Sequence, residues 1–442
     1  MITRRKFTRI STLAGIGIVS GCTAPAPKTG VKNISANDII NVGLIGCRSM
    51  GWSDLRDFIR NPDVECIALC DVDQDVLDER VKDVFEKTGK KPLVFKDYRK
   101  LLDLKEIDVV IIGTPDHWHC LPFVDACKAG KDIYVEKPLA NSIAECNIML
   151  QAAKKYNRIA TVGQQQRSGT EWAKIMGLVK SGTLGDVKRI NCWANFDYGA
   201  GEPRVPNSAP PQSVDYDQWL GPAPFRPFNK NRFHGLWRMN WDYGGGLMTD
   251  WGVHLLDMAL WAMGDTRQFP ETVVASGGIM RFPGNEIQTP DTLNVVYNYG
   301  DCIVQWENNG GIQSGPWNRN YGVSFVGSKA TIVADRASWE MIPEGKNDKP
   351  LAEGIPLQKN IQNEHQAHVR HFLDAVKNRK QPDCTIETGH AAAVTALLGN
   401  LAYRTGEILK YDPENQVFLN SSKASNMITP VYRSPLVFPS LD

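Results

Sequence analysis

The sequence predicts an α/β chain in two parts: a doubly wound parallel sheet, then an α+β domain with a large, mostly antiparallel sheet. Three observations predict it. Up to position 163, short apolar runs alternate with helical segments, the pattern of parallel strands joined by crossover helices. The first run ends in a glycine-bearing turn that opens a helix. Beyond position 270, strand-like runs follow one another directly, which favours antiparallel pairing. At 442 residues the chain has room for more than one domain. A formal net charge of +1 argues against a nucleic-acid binder, which would show a basic stripe.

Residues 39–46 read as the first strand and 52–60 as the first helix. The second strand, 64–70, ends at Asp71, and 77–88 is helical. Residues 109–112 form an apolar strand that runs into Gly113-Thr114-Pro115. A helix at 121–129, a strand at 133–135, a helix at 144–156 and a strand at 160–163 complete the first part. The texture then changes. Residues 187–196 alternate as a strand, 202–227 are Pro-rich and read as a long loop, and 233–246 are dense in Trp, Tyr and Gly. Strands are expected at 272–276, 292–299, 302–306, 322–326 and 330–334, with closing helices at 365–378 and 390–405. Residues 420–442 look like an extended surface tail. The expected divisions are 38–163 for the nucleotide-type domain, 164–410 for the second domain and 411–442 for the tail.

The turn after the first strand is Gly46-Cys47-Arg48-Ser49-Met50-Gly51. It departs from G-x-G-x-x-G because Arg48 stands where the second glycine lets backbone approach a pyrophosphate. Its setting between strand and helix is nevertheless the required one. Asp71 ends the second strand, where a carboxylate accepts from a ribose 2′-OH and repels a 2′-phosphate, favouring NAD over NADP. The ordinary reading of Asp71 is a helix cap or a solvated turn residue. Arg48 offers a guanidinium to a phosphate in place of the missing glycine.

Glu136-Lys137-Pro138 closes the strand ending at position 135. Ligands of open α/β sheets bind at the carboxyl ends of strands, and a partly desolvated lysine there can act as acid or base. Its ordinary reading is a surface lysine leaving a turn. Farther on, Gly244-Gly245-Gly246 precedes Asp250-Trp251-Gly252-Val253-His254, the opening of an expected helix. Asp250 and His254 are four apart, so on one helix they share a face, where the carboxylate would orient the imidazole and raise its basicity. Asp257 falls on the same face. The alternative is a capping Asp and a core His. Asp250, His254, Asp257, His117 and His119 lack metal-ligand spacing, so no metal site is expected. Trp237, Arg238, Trp241 and Tyr243 lie just upstream; flat aromatics beside polar groups suit pyranose faces as well as ordinary packing.

The N-terminus reads as a targeting segment at 1–22. Thr3-Arg4-Arg5-Lys6-Phe7 has the twin-arginine pattern, a short apolar run spans 10–19, and Val19-Ser20-Gly21-Cys22 resembles a lipoprotein cleavage box with Cys22 lipidated. Residues 23–37 would be the tether. The expectation is export, to the periplasm or to a membrane through that lipid anchor alone. The other nine cysteines, an odd number, mostly sit in apolar patterns, so neither a disulfide framework nor a zinc site is expected.

Taken together, Gly46–Gly51, Thr114-Pro115-Asp116-His117-Trp118-His119, Glu136-Lys137-Pro138 and Gly244-Gly245-Gly246 with Asp250-x-Gly252-x-His254 resemble the Gfo/Idh/MocA oxidoreductases, named for glucose–fructose oxidoreductase and inositol dehydrogenase. The resemblance runs from about Ile39 to Leu409. It implies a Rossmann domain for NAD, with Lys137 as the catalytic lysine and Asp250 and His254 binding the reacting hydroxyl and handling its proton. It also implies that Thr114, Pro115, His119 and Glu136 line the nicotinamide side. Gln165 and Arg167 fall where the family's loop enters the substrate domain, Gln165 toward cofactor and Arg167 toward substrate. A homodimer or tetramer is common in the family.

The implied reaction is reversible oxidation of a secondary alcohol of a sugar, glycoside or cyclitol, C3 of a pyranoside being one fit. Outside the cytoplasm free NAD is scarce, so export implies a retained cofactor. One rival is a redox-assisted glycosidase; members resembling that class tend to lack the Glu-Lys-Pro lysine. The other is a carbohydrate-binding lipoprotein that has lost catalysis, which Arg48 alone supports.

Overall fold

Six strands make the first sheet of this computed structural model, which describes residues 39–196, 198, 200–264, 269–346 and 348–441. The targeting segment, Cys22 and the tether lie outside the described residues. Strands β1 (Ile40–Ile45), β2 (Val64–Cys70), β3 (Leu93–Phe95), β4 (Val109–Ile112), β5 (Asp132–Val135) and β6 (Ala160–Val162) lie in the order β3-β2-β1-β4-β5-β6. All five pairings are parallel. Crossovers run through α1 (Ser49–Phe58), α2 (Gln74–Thr88), α3 (Tyr98–Leu102), α4 (Cys120–Lys128) and α5 (Ile143–Lys155). β4 and β5 are buried throughout, as strands covered on both faces must be, and they read as unbroken apolar runs for that reason. The order reverses between β1 and β4, which opens a crevice at their carboxyl ends. The short edge strand β3 escaped the sequence reading because Leu93 and Val94 are exposed and leave no burial pattern.

After α6 (Thr170–Lys180) comes the second sheet. Its strands are β7 (Val187–Ala194), β8 (Thr272–Gly278), β9 (Thr292–Asn298), β10 (Ile303–Asn309), β11 (Tyr321–Gly327), β12 (Ala330–Ala334) and β13 (Ser338–Pro343). A small ladder of β14 (Gly345–Lys346) and β15 (Lys349–Pro350) precedes the last strand, β16 (Ile355–Lys359). The order is β16-β13-β12-β11-β7-β10-β9-β8. Pairing is antiparallel except between β7 and β10, whose parallel contact closes the two halves of the sheet together. Helices α8 (Gly246–Asp250), α9 (Gly252–Met263) and α11 (Ile386–Thr405) pack into one core with Trp306, Tyr297 and Phe325 of the sheet. Helix α10 (Glu364–Asn378), late in the sequence, joins the core of the first sheet instead: Val369 and Phe372 pack with Phe58 and Tyr134.

The Pro-rich stretch is not a free loop. The Gln74 amide donates to Ser213 O and the Asp215 amide to Val72 O, both at 2.9 Å, so the chain pairs with the loop after β2. Trp118 Nε1 donates to Gln218 O and Trp219 O at 3.0 Å, at the short helix α7 (Tyr216–Leu220). Gly221 has φ +50 and lies against Trp118, where a Cβ would come within 2.2 Å of the ring. Residues 420–441 hold this strap from outside. Arg433 donates to Asp217 Oδ1 (2.6 Å) and Gly221 O (3.1 Å), and Tyr432 Oη donates to buried Glu145 (2.6 Å). The expected surface tail is thus a docked segment. Among the described residues no helix is long and apolar enough to cross a membrane. The nine described cysteines are buried.

Candidate active site

A cavity of about 460 Å³ opens where β1, β2, β4 and β5 end. At one end it is made of backbone. Gly46 has φ +86, and a Cβ on it would stand 2.6 Å from the Thr114 amide nitrogen. A Cβ on Gly51 would stand 2.0 Å from Gly46 O, and one on Gly113 would stand 2.4 Å from the Gly51 Cα. Three glycines therefore let the turn, α1 and β4 touch. Arg48 has φ −100 and ψ 159, extended backbone that any residue adopts, so the lost glycine leaves no strain. Its guanidinium reaches out to His234 Nε2 at 3.2 Å. Asp71 accepts from the Cys47 amide (2.7 Å) and the Asp73 amide (3.0 Å) and braces the turn, while its oxygens keep lone pairs for hydroxyls. Burial raises its carboxyl above the usual value, against those hydrogen bonds. Arg48, Ser49, Met50, Asp71, Thr114 and Pro115 all line this cavity. A glycine cradle with a carboxylate at the next strand end fits a dinucleotide.

At the other end, side chains meet. Lys137, just past β5, places Nζ 2.6 Å from Asp250 Oδ1 and 3.0 Å from Asp250 O. Arg238 reaches the same Oδ1 at 3.2 Å and stacks over Trp237, its Cζ 4.4 Å from the ring centroid. Lys137, Glu136, Trp237 and Arg238 line the cavity. Asp250 and His254 do not share one helix: α8 ends at Asp250, Trp251 breaks the run, and α9 starts at Gly252. The Asp250 carboxylate bonds Lys137 and Arg238, and His254 Nδ1 has no hydrogen-bond partner. Burial, then the charges of Arg336 and Lys137, depresses the His254 imidazole well below its ordinary pKa, so it is neutral.

Other candidate residues take different places. His119 places Nδ1 2.8 Å from Pro138 O and Nε2 2.9 Å from Thr114 O, between the ends of β5 and β4; burial lowers its pKa to about 4, so the neutral ring donates to one of the two carbonyls. Arg167 is forked onto Asp257 (2.7 and 3.0 Å) with side-chain exposures of 8% and 0%, and it lies over Trp261. Trp241 packs against Arg404 and Tyr403, beside a separate small cavity. Tyr243 is buried between His117 and Trp219, beneath the strap. Gln165 opens the short 3-10 helix after β6.

Two site residues escaped the sequence reading as individuals. Asp116, inside the Thr114–His119 motif, lines the cavity. Burial first, against the opposing Arg238 charge, raises its carboxyl to about 8, and Asp250 adds to the rise. Its signal was an acidic residue just past an apolar strand. Arg336, in the turn after β12, lies over Trp251 and bonds Gln166 Oε1 at 3.3 Å. No motif flags it, because folding alone brings that turn to His254.

The parallel sheet, the glycine cradle and the ion-paired lysine at its rim define a two-domain oxidoreductase with an NAD-binding domain. A family model described as the NAD-binding Rossmann fold of an oxidoreductase family matches residues 40–164, and one for that family's C-terminal alpha/beta domain matches 168–438. The chain belongs to the Gfo/Idh/MocA oxidoreductase family. It is 30% identical over 203 residues to a glycosyl hydrolase family 109 protein of Shewanella baltica, and 29% identical over 203 residues to an alpha-N-acetylgalactosaminidase of Shewanella oneidensis. Each alignment covers 42% of this chain and 44% of the relative, so the chain spans under half the length of these curated relatives. Among solved structures, levoglucosan dehydrogenase in complex with NADH and levoglucosan superposes with a TM-score of 0.65 at 18% identity, covering 84% of this chain and 99% of that one. An aldose-aldose oxidoreductase from Caulobacter crescentus gives 0.63 at 18%, with the same coverages. At these identities the structural likeness is one of fold.

Proposed function

We propose that this chain oxidises a ring secondary alcohol of a sugar, glycoside or cyclitol with NAD. The observation that carries the reading is Lys137 on Asp250 at 2.6 Å, on the rim of the cavity that holds the dinucleotide turn. Bound NAD would supply the hydride acceptor. Gly46, Gly51 and Gly113 would let its pyrophosphate approach backbone, and Asp71 would accept from a ribose hydroxyl. Lys137, held by Asp250, orients the substrate hydroxyl. Neutral His254, its Nδ1 unpartnered, accepts the hydroxyl proton; a weak base in the resting site, it takes that proton as the hydride departs. Asp116, protonated at neutral pH, is a hydrogen-bond donor on the same wall.

The strap over the loop after β2 supports a cofactor retained through many turnovers. Export through the twin-arginine segment, a lipid anchor at Cys22 and a homo-oligomer belong to the same proposal. A second reading, NAD-assisted glycoside cleavage, is favoured by the family 109 relatives at 29–30% identity. Mass spectrometry of denatured protein should release NAD. A panel of methyl glycosides and cyclitols should then yield NADH, with Lys137→Ala as the inactive control. Release of aglycone without net NADH would select the second reading, and normal turnover by Lys137→Ala would refute the mechanism.

A further inference from the structure

Each alcohol oxidation sheds one proton, and the strap of residues 213–238 lies over the cavity where it is shed. A second group of ionisable residues lies beyond Glu136, between α1 and α10. His365 of α10 is held by two carboxylates of α1: Nε2 meets Asp54 Oδ1 at 2.7 Å, and Nδ1 meets Asp57 Oδ2 at 2.5 Å. Asp54 is 0% exposed, and its other oxygen, Oδ2, has no hydrogen-bond partner. Glu136 lines the cavity, is 4% exposed, and its Oε1 also lacks a partner. Gly163 makes room for that oxygen, since a Cβ there would stand 2.2 Å from it. At the outer end Asp57 pairs with Arg60 at 2.6 Å, and the Arg60 side chain is 60% exposed.

One end of this group, Glu136, is at the cavity wall and the other, Arg60, is at solvent, with no direct hydrogen bond between Glu136 and Asp54, whose charge nevertheless acts on Glu136. Stability does not account for it. Two buried carboxyl oxygens without partners cost free energy, and an apolar pair would pack more cheaply.

We propose that Glu136, Asp54 and His365 form a proton exit from the reacting end of the cavity to the α1–α10 surface. The proposal rests on the alcohol-oxidising reading. The hydroxyl proton passes from the Lys137–His254 end to Glu136 and on, through a bridging water, to Asp54 Oδ2. The His365 imidazolium gives its Nδ1 proton to Asp57 and so to solvent; the neutral ring then turns over and takes a proton from Asp54 on its bare nitrogen. One proton enters and one leaves for each hydride transferred. O–H and N–H bonds are the ones exchanged, and no group in the series changes oxidation state.

The acidities are uneven: His365 holds its proton most tightly, and release to Asp57, whose carboxyl is held below its ordinary value, against burial, by the His365 hydrogen bond, is the uphill step. Burial, then Asp54, raises Glu136 to about 8. Burial raises Asp54 to about 6 against the His365 hydrogen bond. Burial works to lower His365, but the hydrogen bonds it donates to Asp54 and Asp57 lift it to about 10. The charged and titratable groups facing the series are Lys137, Arg238 and Arg336 at Glu136, Lys137 and Tyr134 at Asp54, Arg60 at Asp57, and His368 at His365.

The test uses full-length, NAD-loaded protein and the glycoside that gives the fastest NADH formation in the panel above. His365→Ala and Asp54→Asn should each lower kcat about tenfold or more near neutral pH, with KM and NAD affinity unchanged. Added imidazole should restore His365→Ala, and the kcat pH profile should lose its dependence on the relay groups. His365→Gln guards against loss of fold, since its amide can donate to a carboxylate but cannot pass a proton; it should be slow yet unfold in a single cooperative urea transition like the parent. Unchanged kcat in these variants would overturn the relay. So would a slow His365→Ala that imidazole fails to rescue, which would make His365 a structural clamp. Absence of NADH from every glycoside with the parent protein would instead overturn the oxidising reading itself.

Discussion

At the dinucleotide end of the cavity, backbone touches backbone: a single Cβ on Gly46, Gly51 or Gly113 would come within 2.6, 2.0 or 2.4 Å of a neighbour's backbone. At the reacting end, ionisable side chains from distant parts of the chain come together. Lys137 comes from the end of β5, Asp250 from α8, Arg238 from the strap and Asp116 from the loop after β4. The first end is tuned for stability, and any added atom harms it. The second carries electrostatic strain, since Asp116 is buried within reach of the Asp250 charge. Removing a charge there should stabilise the fold while harming the chemistry.

The largest expected effect sharpens the reacting end. Lys137→Ala should lower kcat by about 10²–10⁴-fold with NAD affinity unchanged, measured by NADH formation and calorimetry. A loss of NAD affinity equal to the loss of rate would dissolve the distinction between the two ends. Gly51→Ala should destabilise the protein by about 3 kcal/mol, because the new Cβ lies 2.0 Å from Gly46 O and neither backbone can yield. Urea unfolding measures it, and a change below about 1 kcal/mol would show the cradle to be compliant.

Asp116→Asn should do the opposite. The Asp116 carboxyl titrates near 8 when folded and near its ordinary value of 3.8 when unfolded. Between those values the folded state holds the extra proton, so its contribution to stability falls as pH rises. The Asn variant loses this dependence, so its stability advantage over the parent should grow from almost nothing at pH 4 by up to ~1.4 kcal/mol per pH unit toward pH 8, while turnover drops. Equal stability at both pH values would mean that no strain is stored at this end. The smallest effect concerns Arg48→Gly. With the backbone already extended at φ −100, NAD affinity should change by less than about threefold, or ~0.7 kcal/mol. A large gain in affinity would show that the arginine obstructs the pyrophosphate.

The comparison explains what was legible. Strand ends and turn glycines are local: β1, the turn and Asp71 stand close in sequence, and the alternation of strands and helices marks them. The same holds for β9 and β10, whose period-two pattern survives one buried face. Asp250 and His254 were readable as residues but not as a pair. Their spacing implies one face, yet Trp251 interrupts the helix, and the Lys137 ammonium takes the carboxylate first. Arg167 was readable as a polar residue at a domain entry, while its forked pairing with Asp257 depends on how α9 packs. The Pro-rich stretch gave no sign of its strap, because its pairing is by backbone to residues 72–74, which leaves no side-chain pattern.

The sequence by itself determined the two-domain α/β architecture, the glycine cradle with Asp71, and a lysine held at the end of β5. Those depend on local backbone geometry and on the periodicity of apolar residues, both written along the chain. Tertiary structure alone decided which charges pair. It gave Asp250 to Lys137 and Arg238, left His254 neutral near Arg336, and set His365 between Asp54 and Asp57. The physical reason is that a buried charge takes whichever opposite charge the fold brings within hydrogen-bond distance, and sequence separation has no part in that choice.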